Sequence, residues 1–226
     1  MSRKRLSYNV SFDGPNWPDN PTYHIERFSS INGGDTANTY IFHLFNHYGS
    51  HMDAPNHYVK GGIKIAELPF DRFFFEHPYV LDVPKGPGEK VMVADLMPHL
   101  DEIAKCDILL FRTGSSKIRF TDPGLFKNNG TAVSAEAAKF LIENYGGTLK
   151  CVAVDGLSFA CASDTADGTI AHQWMLGAHT ENFATIIEDI NMEGLDNATL
   201  KSVTAMPLML DGVDSSPVTV WAEIED

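Results

Sequence analysis

Apolar and polar positions alternate in short bursts along this chain, and only three stretches keep a helical rhythm. Asn20 to Ile31 and Thr36 to Phe45 are rich in aromatic and β-branched residues around Asn32-Gly33-Gly34-Asp35, which predicts a β-hairpin. Residues 79–83 and 90–93 read as short strands around the turn Lys85-Gly86-Pro87-Gly88. Val93 to Ala104 has apolar positions at helical spacing, with Asp95 as its expected N-cap. Asp107 to Phe111 is an apolar strand ending in Arg112-Thr113-Gly114. Ser134 to Tyr145 is the clearest helix: Ser134 caps it, Glu136 lies in its first turn and Gly146-Gly147 stops it. Leu149 to Val154 is a buried strand that ends at Asp155-Gly156, and a helix is expected from about Thr169 to Ala178. Val203 to Leu210 and Val218 to Ile224 close the chain as strands joined by a Gly/Asp/Ser turn. The order predicts a mixed α/β domain rather than a regular doubly wound sheet.

At 226 residues the chain fits one domain, residues 1–226, with a sizeable core. Its 43% hydrophobic and 21% charged residues are those of an ordinary globule. No apolar run is long enough to span a bilayer, and MSRKRLSYNVSF has no apolar segment after its basic residues, so it does not read as a signal peptide, and the cysteine usage makes a reducing cytoplasm the expected compartment. The odd cysteines, Cys106, Cys151 and Cys161, argue against a disulfide framework, and Cys106 and Cys151 read as small core residues. A net charge of −13, with no arginine beyond Arg119, disfavours nucleic acid and anionic membranes as partners. The expected partner is a small-molecule substrate.

The chemistry is densest in Asn46-His47-Tyr48-Gly49-Ser50-His51-Met52-Asp53-Ala54-Pro55-Asn56-His57, directly after a predicted strand. Imidazoles with a carboxylate are the ligand set of zinc, manganese or iron(II). His51 and Asp53 are two apart, so an extended backbone points them to one side. His47 joins them if the chain folds back at Gly49, where no Cβ restricts the backbone. His57 is either a fourth ligand, giving a closed site, or a general acid/base beside the metal. Distal donors are expected from Asp164 to His172 and from Ile186-Ile187-Glu188-Asp189-Ile190. There an acidic pair in an apolar run requires a partner for one of the two. His179 and Glu181 form a rival pair, while His24, His43, His77 and His99 lack such company and read as surface or satisfied histidines.

His47-Tyr48-Gly49-Ser50-His51-Met52-Asp53-Ala54-Pro55-Asn56-His57 matches every fixed position of H-x-G-[TS]-H-x-D-x-P-x-H. The chain thereby resembles the cyclase family of metal-dependent hydrolases, which includes bacterial kynurenine formamidase and isatin hydrolase. Pro15-Asn16-Trp17-Pro18, Leu109 to Gly114, Ser134 to Leu141 and Val152 to Ser158 extend the resemblance over nearly the whole chain. It implies a single swivelling β/β/α-type α/β domain with a mixed sheet, and hydrolysis of an amide, formamide or lactam bond. It implies one or two divalent ions, Zn2+ or Mn2+, on His47, His51 and Asp53, with Asp53 able to bridge. His57 would carry the proton, His172 and Glu188 would complete the site, and Trp17 would flank the substrate. A homodimer or higher homo-oligomer is also implied. Two other classes fit the ligand set: a non-haem iron(II) oxygenase and a non-catalytic metal-binding protein.

Overall fold

The structure, a computed structural model, describes residues 1–225. Its strands are β1 (Ser2–Arg5), β2 (His24–Ser29), β3 (Thr39–His43), β4 (His51–Asp53), β5 (Phe74–Phe75), β6 (Pro78–Asp82) and β7 (Lys90–Val91). They continue as β8 (Ile108–Arg112), β9 (Ala132–Val133), β10 (Cys151–Val154), β11 (Thr185–Glu188), β12 (Leu200–Pro207) and β13 (Ser215–Ile224). The two long helices are α1 (Ala135–Tyr145) and α2 (Thr165–Met175).

Nine strands form one mixed sheet in the order β5-β12-β13-β4-β11-β10-β8-β6, with β1 also on β13. The half made of β6, β8, β10 and β11 is parallel, and the half containing β4, β12 and β13 is antiparallel. The parallel strands are apolar in their interior positions because both their faces are covered, with polar residues at their ends. Successive residues point to opposite faces, and the core divides accordingly. Val80, Leu110, Ala153 and Ile187 pack with Met52, Val203 and Val220 on the inner face of the curved sheet. Leu81, Leu109, Val152 and Ile186 pack on the outer face against Leu141 of α1 and Ala171 of α2. The sheet curls until β6 approaches β12, and the Asn197 amide clasps the Val80 backbone N–H and C=O, each at 2.8 Å. The result is a nearly closed, barrel-like mixed sheet with few helices, the α/β class expected.

Two helices differ from expectation. Val93 to Ala104 is broken into Val93–Leu96, Met97–His99 and Leu100–Ile103. Pro98 lacks an amide hydrogen and its ring crowds the preceding turn. Asp95 lies inside the first turn, where its carboxylate accepts the Met92 N–H at 2.7 Å, so it is not the N-cap. The second helix starts at Thr165, capped by Asp164, four residues before the expected Thr169. Ser134 caps α1 as expected, accepting the Ala137 N–H at 3.1 Å. All three cysteines are buried and unpaired. No helix among the described residues is long and apolar enough to cross a membrane.

Candidate metal centre

The strand β4 is only three residues long, yet it lies between β11 and β13 in the middle of the sheet. Its register sets His51 opposite Glu188 on β11, while Asp53 stands between Ile186 and Ser215. His51, Asp53 and Glu188 therefore share one face, and Met52 turns to the inner core. Gly49, at φ 65°, makes the left-handed bend before the strand that a residue with a Cβ resists, and this returns His47 to the same face. From the other side, α2 presents His172 to Glu188.

The histidine hydrogen bonds define what the centre offers. His51 Nδ1 is 2.8 Å from the Gly49 carbonyl, and His172 Nδ1 is 2.8 Å from the Gly168 carbonyl. A carbonyl only accepts, so both Nδ1 atoms carry hydrogen and each neutral ring keeps its Nε2 lone pair for the centre. These lone pairs face further acceptors. His51 Nε2 is 3.5 Å from Asp53 Oδ1 and 3.3 Å from Glu188 Oε2, and His172 Nε2 is 3.2 Å from Glu188 Oε1. His51 Nε2 and both Asp53 oxygens are buried without a hydrogen-bond partner. Buried acceptors converging on acceptors are unfavourable unless a cation joins them, so the donor set fits a divalent ion. Two groupings have metal-ligand spacing here, His51-Asp53-Glu188 and His47-Asp53-His57, and Asp53 belongs to both.

The electrostatics follow from this crowding. Desolvation opposes charge on Asp53, but His47, His57 and His51 outweigh it and hold the carboxyl well below its usual range. Glu188 is desolvated too, yet the His172 and His51 imidazoles beside it bring it down to about 2. Burial works against a charged His47, yet Asp53 and Asp214 together push it up to about 10.

Asp214, in the turn before β13, had no signal in the sequence beyond being one acid of a turn. Its Oδ2 is 2.9 Å from His47 Nε2 and 2.7 Å from His57 Nδ1, and the Asn46 amide donates to its Oδ1 at 2.8 Å. Ser158 was also missed as a site residue: its hydroxyl and the Phe159 N–H donate to Glu188 Oε1 at 2.8 and 2.7 Å. Both members of the acidic pair at the end of β11 have partners, not one alone. Asp189 takes a bidentate pair from Arg119 at 2.7 Å on each oxygen, and Arg119 lies on the Tyr8 ring.

A cavity opens over His47, His51, His57, His172 and Glu188. Trp17 lines it, together with Phe45, Tyr58 and Leu157. The Asn16 amide donates to the Asn20 and Pro21 carbonyls and steadies the Trp17 turn. The rival pair stands apart: His179 and Glu181 are exposed, with His179 against Trp174. His24 and His43, expected to be solitary, face each other across β2 and β3 with Glu26 beside them.

The putative cyclase family model matches residues 5–160, which includes His47 to His57 and the Val152 to Ser158 stretch. The chain belongs to the putative cyclase family. An uncharacterized protein of Haemophilus influenzae is 36% identical over 135 residues, covering 60% of this chain and 92% of that one. A kynurenine formamidase of Erythrobacter litoralis is 32% identical over 102 residues, covering 45% of this chain and 44% of that protein. Among solved structures, isatin hydrolase A from Labrenzia aggregata bound to benzyl benzoate shares the fold with a TM-score of 0.81 at 20% identity, covering 99% of this chain and 94% of that one. His172 and Glu188 lie beyond the segment matched by the family model, and the fold brings them to it.

Proposed function

We propose that this chain is a metal-dependent hydrolase of non-peptide carbon–nitrogen bonds, acting on an amide, formamide or lactam. The observation that carries the reading is the buried set of partnerless acceptors on His51 and Asp53, closed by Glu188 and His172. His47, His51, Asp53, His172 and Glu188 would hold one or two divalent ions, Zn2+ or Mn2+, with Asp53 shared between them. Such an ion supplies the positive charge that polarises a carbonyl and makes water acidic.

The remaining chemistry belongs to the chain itself. Asp214 accepts from His57 Nδ1, which leaves Nε2 of that ring free to move a proton between water and the leaving nitrogen. Trp17, Phe45, Tyr58 and Leu157 give the cavity walls suited to a planar aromatic substrate and shield the reacting bond from bulk water. The names of relatives, kynurenine formamidase and isatin hydrolase, support an aryl formamide or a fused lactam. We place this activity in one domain of a cytoplasmic homo-oligomer.

The test is metal analysis of the purified protein, followed by hydrolysis assays with N-formylkynurenine, isatin and related lactams. Metal-dependent turnover that needs no oxygen is expected, which separates hydrolysis from iron(II) oxygenase chemistry. His57→Ala should lose about 100-fold to 10,000-fold in rate with metal content unchanged. Full activity of that variant, or a protein that never binds metal, would sink the reading.

A further inference from the structure

We propose that His24, Glu26 and His43 form a second, solvent-facing divalent-cation site that takes an imidazole-preferring ion such as Zn2+. The register pairs His24 with His43 and Glu26 with Ile41. Alternation along the strands then puts His24, Glu26 and His43 on one face, and Ile25, Arg27, Tyr40 and Phe42 on the other. Glu26 Oε1 is 3.4 Å from His24 Nε2 and 3.1 Å from His43 Nε2, and the two ring centroids are 5.4 Å apart. One ligand atom from each of the three residues lies within 4.8 Å of the others. Two imidazoles and a carboxylate are the donor set of open zinc sites, with further positions left for water. Mg2+ and Ca2+ need mostly oxygen donors, so this set discriminates against them.

The hairpin itself supplies an independent reason for a cation. β2 and β3 form their own two-stranded sheet with no backbone pairing to the nine-stranded one, and every residue of β3 is exposed. Isolated two-stranded hairpins are marginally stable in water. Two of the three donors are the first residue of β2 and the last of β3, and the observed register brings all three together. Binding and hairpin formation are therefore linked, and the ion acts as a clasp at the hairpin base. The site is independent of the Asp53 centre, so the two readings stand or fall separately.

The experiment titrates Zn2+ into the metal-loaded protein by calorimetry and equilibrium dialysis, comparing wild type with His43→Ala and Glu26→Gln, with Mg2+ as a control. Hydrogen exchange of the hairpin amides is followed in parallel. Wild type should bind one equivalent more than His43→Ala, Glu26→Gln should bind it more weakly, and Mg2+ should not compete. Protection of the hairpin amides should rise about elevenfold when free Zn2+ is ten times its Kd, as linkage requires. Equal stoichiometry and affinity in wild type and His43→Ala, or hairpin exchange indifferent to Zn2+, would overturn the proposal.

Discussion

The carboxylate of Asp214 meets His57 Nδ1 at 2.7 Å, and this bond fixes which ring nitrogen faces the cavity. The same oxygen is 2.9 Å from His47, so one residue orients two histidines of the site. Partners of this kind are worth about 10-fold to 100-fold in activity or metal affinity. Asp214→Ala should lower kcat/KM by that amount while circular dichroism and the melting curve stay close to wild type, because the residue is half-buried in a turn. Unchanged kinetics would remove Asp214 from the functional site.

Removing the metal should destabilise the protein as well as silence it. Asp53 and Glu188 are buried among histidine lone pairs, and an ion that binds only the folded state stabilises it by about 2.7 kcal/mol at one hundred times Kd. Dialysis against a strong chelator should lower Tm, and returning Zn2+ or Mn2+ should restore it. A Tm insensitive to chelator and metal would show that the buried acceptors are satisfied some other way.

Arg119 and Asp189 form a buried bidentate pair directly beyond Glu188. Asp189 also has a left-handed backbone, at φ 56°. Arg119→Met leaves that carboxylate buried without its partner, which costs about 3–5 kcal/mol. Urea melts of the two proteins measure the difference. A loss below about 1 kcal/mol, the range of exposed pairs, would contradict the burial argument.

Gly168 offers a reversal of helix propensity. Alanine normally stabilises a helix interior by about 1 kcal/mol over glycine. Here a Cβ would lie 2.3 Å from the Ala160 Cβ, so α2 would have to move away from that loop. Gly168→Ala should therefore destabilise the fold and shift His172, whose Nδ1 bonds the Gly168 carbonyl. Thermal melts and metal content report both effects, and a stabilised, fully metallated variant would refute the close-packing account.

The thiols give a pH dependence with a definite sign. Burial pushes Cys106 and Cys151 up to about 12, against about 8.5 in an unfolded chain. The folded state holds these protons more tightly, so the stabilisation is complete below about pH 8.5 and is lost as pH rises toward 12. Stability in urea should fall across that alkaline window, and less so in Cys106→Ala and Cys151→Ala than in wild type. An identical alkaline decline in all three proteins would show that other groups cause it.

Much of the fold could be read from the chain because its signals are local. Ser134, Glu136 and the Gly146-Gly147 stop delimit α1 within a few residues, and the Asn32 to Asp35 turn marks the hairpin. The proximal site was legible for the same reason, since the His51 and Asp53 spacing sets their common side once the backbone is extended. What escaped depends on contacts distant in sequence. The start of α2 was placed too late because Asp164 to Gly168 is polar, whereas Asp164 caps the helix and Gly168 lets it pack against Ala160. Nothing near Asp214 indicates that its turn folds onto residues 46 to 57, and nothing near His24 shows which strand position it will face.

The three-residue strand β4 is a seam: it pairs antiparallel with both neighbours, β11 from the parallel half of the sheet and β13 from the antiparallel half. Backbone ladders from both halves of the sheet fix its side chains, whereas Trp17, Phe45 and Leu157 enter the cavity from segments outside the strands. Selection can therefore rework the walls that choose a substrate without disturbing the residues that gather around Asp53. A lineage built on this plan can diversify in what it accepts while its inorganic chemistry stays constant.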